Sequence, residues 1–331
     1  MRVLHLINDL DPGGAQRLVR DLAGALRAAG LDVAVLTLSD TGRSIRRLRR
    51  ATAGYDLIHV HLFPSLYLMA AANLGRSIPL VFTEHNTTNR RRSRPLLRPL
   101  ERLVYSRYSA VACISHAVKK SLLDWLSIPH SPFPIIENGV DLSRFEPVRM
   151  IPPSARQEYR FLMPARFVPQ KDHMTVLEAL TLLPQNVKVL FAGDGPTLPE
   201  VRSRAEELGL AGRVSFLGEV TDIAPLLNED LCGGILSSHW EGFGLAAVEM
   251  MATGLPVFAS AVGGLKEVIP SSRLLFTPGS ASQLASHIRF HISDDAAYIK
   301  SSKLCLDLAE SCDISHAAKE YIALYNEILH P

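Results

Sequence analysis

Residues 3–38 read VLHLINDLDPGGAQRLVRDLAGALRAAGLDVAVLTL. The apolar-rich run 3–7 ends at Asn8 and Asp9, a Gly13-Gly14 pair follows, and residues 15–29 then place Leu18, Val19, Leu22 and Leu26 on one helical face before a second run at 32–38. The first run reads as a buried strand and the 15–29 period as a helix. Strand, helix and strand in that order predict a parallel sheet covered by helices.

Outward from there the alternation continues, with strands expected at 57–61, 80–83, 111–114 and 133–136. It breaks at Glu137, Asn138, Gly139, Val140 and Asp141, an Asn-Gly turn signal leading into a proline-containing segment through Pro152 and Pro153, where the interdomain linker is placed. It then restarts with strands at 161–164, 187–192, 214–217, 234–236, 257–259 and 274–276, and helices at 174–183, 198–208, 243–253 and 281–290. The fold class is therefore α/β: two Rossmann-like, doubly wound domains facing across a cleft at the carboxyl ends of their sheets, where such sheets bind ligands. The domains are drawn at 1–145 and 146–314. A closing helix at 315–329, with Ala318, Ile322, Tyr325 and Leu329 on one face, is expected to cross back to the first domain.

The 331 residues, 47% hydrophobic and 21% charged, are ordinary for globular domains and long enough for two cores. The run at 3–7 is too short for a signal peptide, and no stretch approaches the roughly 18 apolar residues of a spanning helix, so a cytoplasmic protein is expected. Cys113, Cys232, Cys305 and Cys312 lack metal or disulfide spacing and read as reduced core thiols. The net charge of +2 hides an asymmetry: residues 1–150 hold 21 Lys and Arg against 12 Asp and Glu, the remainder 14 against 21. Much of the excess lies in Arg43, Arg46, Arg47, Arg49 and Arg50, and in Arg90, Arg91, Arg92, Arg94, Arg98 and Arg102.

The chemistry concentrates in residues 238–254. Glu241, Gly242, Phe243, Gly244 and Leu245 lead into a helix taken to begin near Phe243, with Glu249 among Ala246, Ala247, Val248, Met250 and Met251. A carboxylate buried there without a partner would cost several kcal/mol, roughly, and a ribose diol is a suitable partner. The glycines let backbone N–H groups at the helix start approach a phosphate or sugar oxygen. Arg166 and Lys171, after the strand at 161–164, are placed to neutralise a diphosphate. Gly13-Gly14 at a helix start is a phosphate cradle or simply a tight turn, and it lacks the third glycine of a dinucleotide fingerprint. His85, beside Glu84 and Asn86 after a strand, is a candidate to touch substrate; His59 and His61 read as core or cleft-lining residues. Asp9 and Asp11 have no supporting acidic pair, and no metal or other cofactor is expected.

In these features the sequence resembles the retaining glycosyltransferases of family 4, also called glycosyl transferases group 1. The resemblance runs nearly the whole chain in order, through Gly13-Gly14, His85, residues 138–141 with Phe145, Arg166 and Lys171, Gly193 with Gly195-Pro196, residues 216–218, the Glu-x7-Glu from Glu241 to Glu249, and Gly263-Gly264 with Glu267. It implies a GT-B fold in which Glu249 binds ribose, Glu241 contacts the transferred sugar, Arg166 and Lys171 hold the diphosphate, Gly14 approaches it, and Val220 lies in the stretch lining the base. Ala165, Asp172 and Ser237 stand where the family often has Gly, Gly and Pro.

The expected activity is transfer, with retention, from a UDP- or GDP-sugar to a hydroxyl of an acceptor glycan or lipid-linked sugar, as in cell-envelope or polysaccharide precursors, with no nucleic acid partner. The rivals are a nucleotide-sugar epimerase of the same fold and an inactive nucleotide-sugar-binding protein. Arg90, Arg91, Arg92 and Arg94, followed by Leu96, Leu97, Leu100, Leu103 and Val104, are expected to hold the protein peripherally on the anionic inner face of a membrane, the alternatives being a solvated basic surface or a patch for a soluble anionic acceptor.

Overall fold

In β1 (Arg2–Ile7) every residue from Val3 to Ile7 is buried, as a strand covered on both sides requires. α1 (Gly14–Ala28) buries Leu18, Val19, Leu22, Ala23 and Leu26, the expected face. The computed structural model describes residues 1–331 apart from Pro12, Arg90, 129–132, Arg149, Asn228, Glu229 and Pro331. After α1 come β2 (Asp32–Thr37), α2 (Leu38–Thr41), α3 (Ile45–Ala51), β3 (Leu57–His61), α4 (Ser65–Ala72), β4 (Leu80–Glu84), α5 (Arg98–Tyr105), β5 (Ala110–Cys113) and α6 (His116–Leu126). The sheet runs β2-β1-β3-β4-β5, all parallel, and its register sets His5 beside His59.

The second set is β6 (Tyr159–Pro164), α7 (His173–Thr181), β7 (Val187–Ala192), α8 (Leu198–Glu207), β8 (Val214–Phe216), α9 (Ala224–Leu227), β9 (Gly233–Leu236), α10 (Leu245–Ala252), β10 (Val257–Ser260), α11 (Gly263–Val268), β11 (Leu275–Phe276), α12 (Ala281–Ser293) and α13 (Asp295–Glu310). This sheet, also parallel, runs β11-β10-β9-β6-β7-β8. Contacts divide the chain into one unit of Met1–Asp141 with Cys312–Pro331 and another of Leu142–Ser311. The last helix, α14 (Ile314–Leu329), thus belongs to the first unit, where it packs on α1.

The expected strand at 133–136 is not formed: an isolated bridge joins Cys113 to Ile135. The helix expected from 243 starts only at Leu245, because Gly244 at its N-cap is left-handed, with φ 104°. α13 escaped the sequence reading because its inward face mixes Tyr298, Ser301, Ser302, Cys305 and Ala309, which blurs an apolar period. In α14 the buried set is Ile314, Ala317, Ala318, Tyr321 and Tyr325, so Ile322 and Leu329 lie at its edge. All four cysteines are buried and unbridged.

Two hydroxyls tie α14 to the sheet. Tyr325 Oη lies 2.6 Å from His59 Nδ1, and Tyr321 Oη lies 2.7 Å from Thr83 Oγ1. Both tyrosines are buried, so losing one hydroxyl strands a buried partner. Tyr325→Phe is expected to lower stability by about 1–3 kcal/mol; a urea-denaturation midpoint equal to wild type would show that this bond does not hold the helix.

Candidate active site

In the second unit the order β11-β10-β9-β6-β7-β8 reverses direction between β6 and β9, which pair at Phe161↔Gly233 and Leu162↔Gly234. Connections leave these two strands toward opposite sides, and the gap between their carboxyl ends is where doubly wound sheets take ligands. Arg166 follows β6; Lys171 ends a short 3₁₀ turn, Pro169–Lys171; Glu241 lies in the loop after β9; Glu249 sits one turn inside α10. The fold therefore brings the loop after β6 to the loop after β9, with Lys171 and Glu241 70 positions apart in sequence.

The two loops are stitched together. His239 N donates to Gln170 O at 2.8 Å, Gln170 Nε2 donates to Trp240 O at 2.7 Å, and Lys171 Nζ is ion-paired with Glu241 Oε2. Arg166 is exposed, with no hydrogen bond or ion pair to its guanidinium among the described residues, whereas Glu249 is only 5% exposed. Gly242 and Leu245 are half-buried, and Phe243 and Gly244 are buried. α11 closes against this loop: Gly264 N donates to Glu241 O at 3.2 Å, and a Cβ on Gly264 would fall 2.2 Å from Gly242 O, so only glycine fits. Val220 is half-buried in the loop after β8, which is joined to the loop after β7 by Gly193 N donating to Gly218 O at 2.7 Å. The Ser238 hydroxyl, missed by sequence reasoning, is buried here without a hydrogen-bond partner among the described residues.

Two of the departures from the family pattern explain one another. Asp172 adopts a left-handed conformation, φ 41°, which glycine takes freely and Asp tolerates better than most residues. Its carboxylate caps α7, accepting from Thr175 N and Thr175 Oγ1, and the Ser237 hydroxyl donates to it at 3.4 Å. Asp172 and Ser237 thus form a cross-loop contact beside Lys171.

In the first unit the order β2-β1-β3-β4-β5 switches between β1 and β3. A pocket of about 210 Å³ opens beside the carboxyl ends, lined by Asn8 after β1, Leu62 and Phe63 after β3, and Glu84, His85, Asn86 and Arg91 at and after β4. Behind His85 runs a column of rings: its Nε2 is 3.2 Å from His61 Nδ1, and His61 Nε2 is 3.0 Å from His5 Nδ1. His59 lies alongside, between Tyr325 and Thr83. His5, His59 and His61 bring one ligand atom each within 4.8 Å of one another, but both His59 nitrogens already have protein partners. Gly13 is extended, with φ 178°, and a Cβ on it would meet only the end of the Gln16 side chain; the turn does not depend on a left-handed glycine there. Asp9 accepts from Gln16 Nε2 and the amide of Asp11, so it serves its own loop. A wider, open depression of about 540 Å³, beside Glu178, Leu182 and Ser280, holds none of the candidate residues.

The basic cluster is partly structural. Arg91 Nε donates to the buried Glu101 at 2.6 Å, and Glu101 also accepts from Tyr67 and Trp125. Arg92 Nη2 lies 3.2 Å from Glu84, which accepts from Tyr105. These two arginines are turned inward, so the expectation that they face a membrane is corrected. Arg94 is exposed, and Arg90 lies outside the described residues.

Residues 146–310 match the family model for glycosyl transferases group 1 and residues 41–144 that for glycosyltransferase family 4. The 2-deoxystreptamine glucosyltransferase of Streptomyces kanamyceticus is 26% identical over 83% of this chain and 78% of its own. The Escherichia coli UDP-Gal:alpha-D-GlcNAc-diphosphoundecaprenol alpha-1,3-galactosyltransferase is 28% identical over 63% and 59% respectively. Among solved structures, Anabaena HepE in complex with UDP and glucose superposes with a TM-score of 0.83 at 22% identity, covering 98% of this chain and 99% of that one. The chain belongs to the family 4, group 1 glycosyltransferases and has their GT-B fold.

Burial holds the rings of His5, His59, His61, His85 and His173 neutral. It lowers His5 to about 3, His85 to about 4 and His173 to about 4, and it holds His59 and His61 well below their ordinary 6.5. Below pH 6.5 the unfolded chain therefore binds more protons than the folded one, and stability must fall with pH. The thermal midpoint is expected to drop between pH 6.5 and about 5, a range above the ordinary carboxylate values. A midpoint that stays level across that range would mean these rings are not held neutral.

Proposed function

We propose that the protein transfers a sugar from a UDP- or GDP-sugar to an acceptor hydroxyl, with retention at the anomeric carbon and without a catalytic metal. The observation that carries the reading is the pairing of Lys171 with Glu241 beside exposed Arg166 at the switch point of the second sheet. In a sugar nucleotide the anomeric carbon is bonded to a phosphate oxygen, so groups serving the sugar and the diphosphate must be neighbours. Arg166 and Lys171 would stabilise charge growing on the leaving diphosphate as the anomeric C–O bond breaks, a preorganised electrostatic role. Glu241 would contact the sugar and Glu249 the ribose diol. His85, in the first unit's pocket, would touch bound substrate. Front-face attack, with the departing phosphate taking the acceptor's proton, accounts for retention without an enzymatic nucleophile. Support for a sugar-nucleotide donor comes from HepE, solved in complex with UDP and glucose, and from the E. coli relative, a UDP-Gal:alpha-D-GlcNAc-diphosphoundecaprenol galactosyltransferase.

For the acceptor, the reading is a lipid-linked sugar reached from an anionic membrane surface. Leu96 is 94% exposed, and Leu100 and Leu103 are exposed along α5 near Arg94. Apolar side chains beside cations suit the headgroup boundary, where each arginine contributes about 1 kcal/mol.

Arg166→Ala, Lys171→Ala and Glu249→Ala are each expected to lower kcat/KM by about tenfold or more, a loss of ~1.4 kcal/mol, while wild-type turnover survives excess EDTA. Unchanged kinetics in all three would sink the site, and rescue of chelated enzyme by magnesium or manganese would sink the metal-free account.

Vesicle co-sedimentation tests the surface. Binding is expected to need anionic lipid, to fall with salt, and to weaken in an Arg94→Ser, Leu96→Ser double variant. Equal partitioning of variant and wild type at low salt would remove this face from the docking site.

A further inference from the structure

The histidine column of the first unit has a closed end and an open end. At the closed end His5 is fully buried, and its Nε2 has no hydrogen-bond partner among the described residues. At the open end His85 lines the pocket, with Nε2 toward His61 and no partner to Nδ1 among the described residues. Between them His61 is fully engaged, Nε2 to His5 and Nδ1 to His85.

Each ring is neutral at ordinary pH, so each carries one N–H and one lone pair. Two proton arrangements then satisfy both ring-to-ring bonds, and they differ at the closed end. If the bonds run outward, His5 Nδ1–H donates to His61 Nε2, His61 Nδ1–H donates to His85 Nε2, and only a lone pair is stranded at His5 Nε2. If they run inward, His5 carries its proton on Nε2, and a buried N–H is stranded instead. An orphaned buried N–H is the rarer defect. His59 offers no third route, since its nitrogens are taken by Tyr325 and Thr83.

We propose that His5 and His61 are positioning residues that fix the proton of His85 on Nδ1, so that His85 presents a hydrogen-bond donor to a ligand oxygen in the pocket rather than a base. With Nε2 occupied as acceptor and Nδ1 protonated, the neutral ring has no lone pair free to take a proton from an acceptor hydroxyl. The ligand half of this statement rests on the reading that the pocket takes substrate; the tautomer half does not.

Long-range 1H–15N spectra of intact protein labelled with 15N-histidine, with His85 assigned by His85→Asn, read the tautomer directly. The expected pattern at neutral pH is a protonated Nδ1 and an unprotonated Nε2 on His85; a protonated Nε2 overturns the proposal. In His5→Met, shown folded by its thermal transition, the thioether can accept but not donate, so His61 is expected to turn its N–H toward it and His85 to shift toward the Nε2–H form, and His5→Asn, whose amide can donate to His61, is expected to restore Nδ1–H. An unchanged His85 signature in folded His5→Met would show that the column does not set it. These readouts need no turnover, so a failure of the transferase reading leaves them standing.

Discussion

Every strand pair in both sheets is parallel, and the rest of the molecule follows from that constraint. Parallel neighbours require crossover connections, which put the helices on the faces and send every loop that follows a strand out at the same edge. Where the winding direction reverses, two such loops part and leave room for a ligand. In the second unit this is the gap between β6 and β9, and the charged residues of the family motifs follow those two strands. In the first unit it is the gap between β1 and β3, and the pocket with His85 opens near it.

A sheet covered on both faces has little tolerance for polar side chains, so most of those in it or under its covering helices find a partner. Glu101 is fully buried and accepts from Arg91, Tyr67 and Trp125; Glu84 accepts from Tyr105 and faces Arg92. Breaking such a pair strands a charge, which costs more than forming the pair gains. This is why residues that read along the chain as a basic surface patch prove to be internal supports. The histidines obey the same rule with neutral rings, each finding a hydroxyl or another ring.

Close backbone approach gives the second unit its shape near the motif loops. Gly264 meets Gly242, and the left-handed Gly244 delays the start of α10. Asp172 shows how a non-glycine residue holds a left-handed position: its carboxylate caps α7 and accepts from Ser237 across the loop. The ordered loop presents Lys171 to Glu241, a juxtaposition that charge alone would not fix.

The sequence by itself determined the two α/β halves, most strands to within a residue or two, and the motif residues, because burial on both faces writes apolar runs and close backbone approach writes glycines. It did not give α13, whose buried face is half polar, nor the bridge that replaces a strand at Ile135. Nor could it tell which of several arginines face water, since a charged residue reads alike whether its partner is solvent or a buried carboxylate 10 positions away, as for Arg91 and Glu101. His5 is the clearest case. It lies 54 positions from His59, and only the β1–β3 register sets them side by side and completes the column that ends at His85. Local pattern carries information about what a segment buries; which distant segments share that burial is decided by strand order, and that exists only in the folded chain.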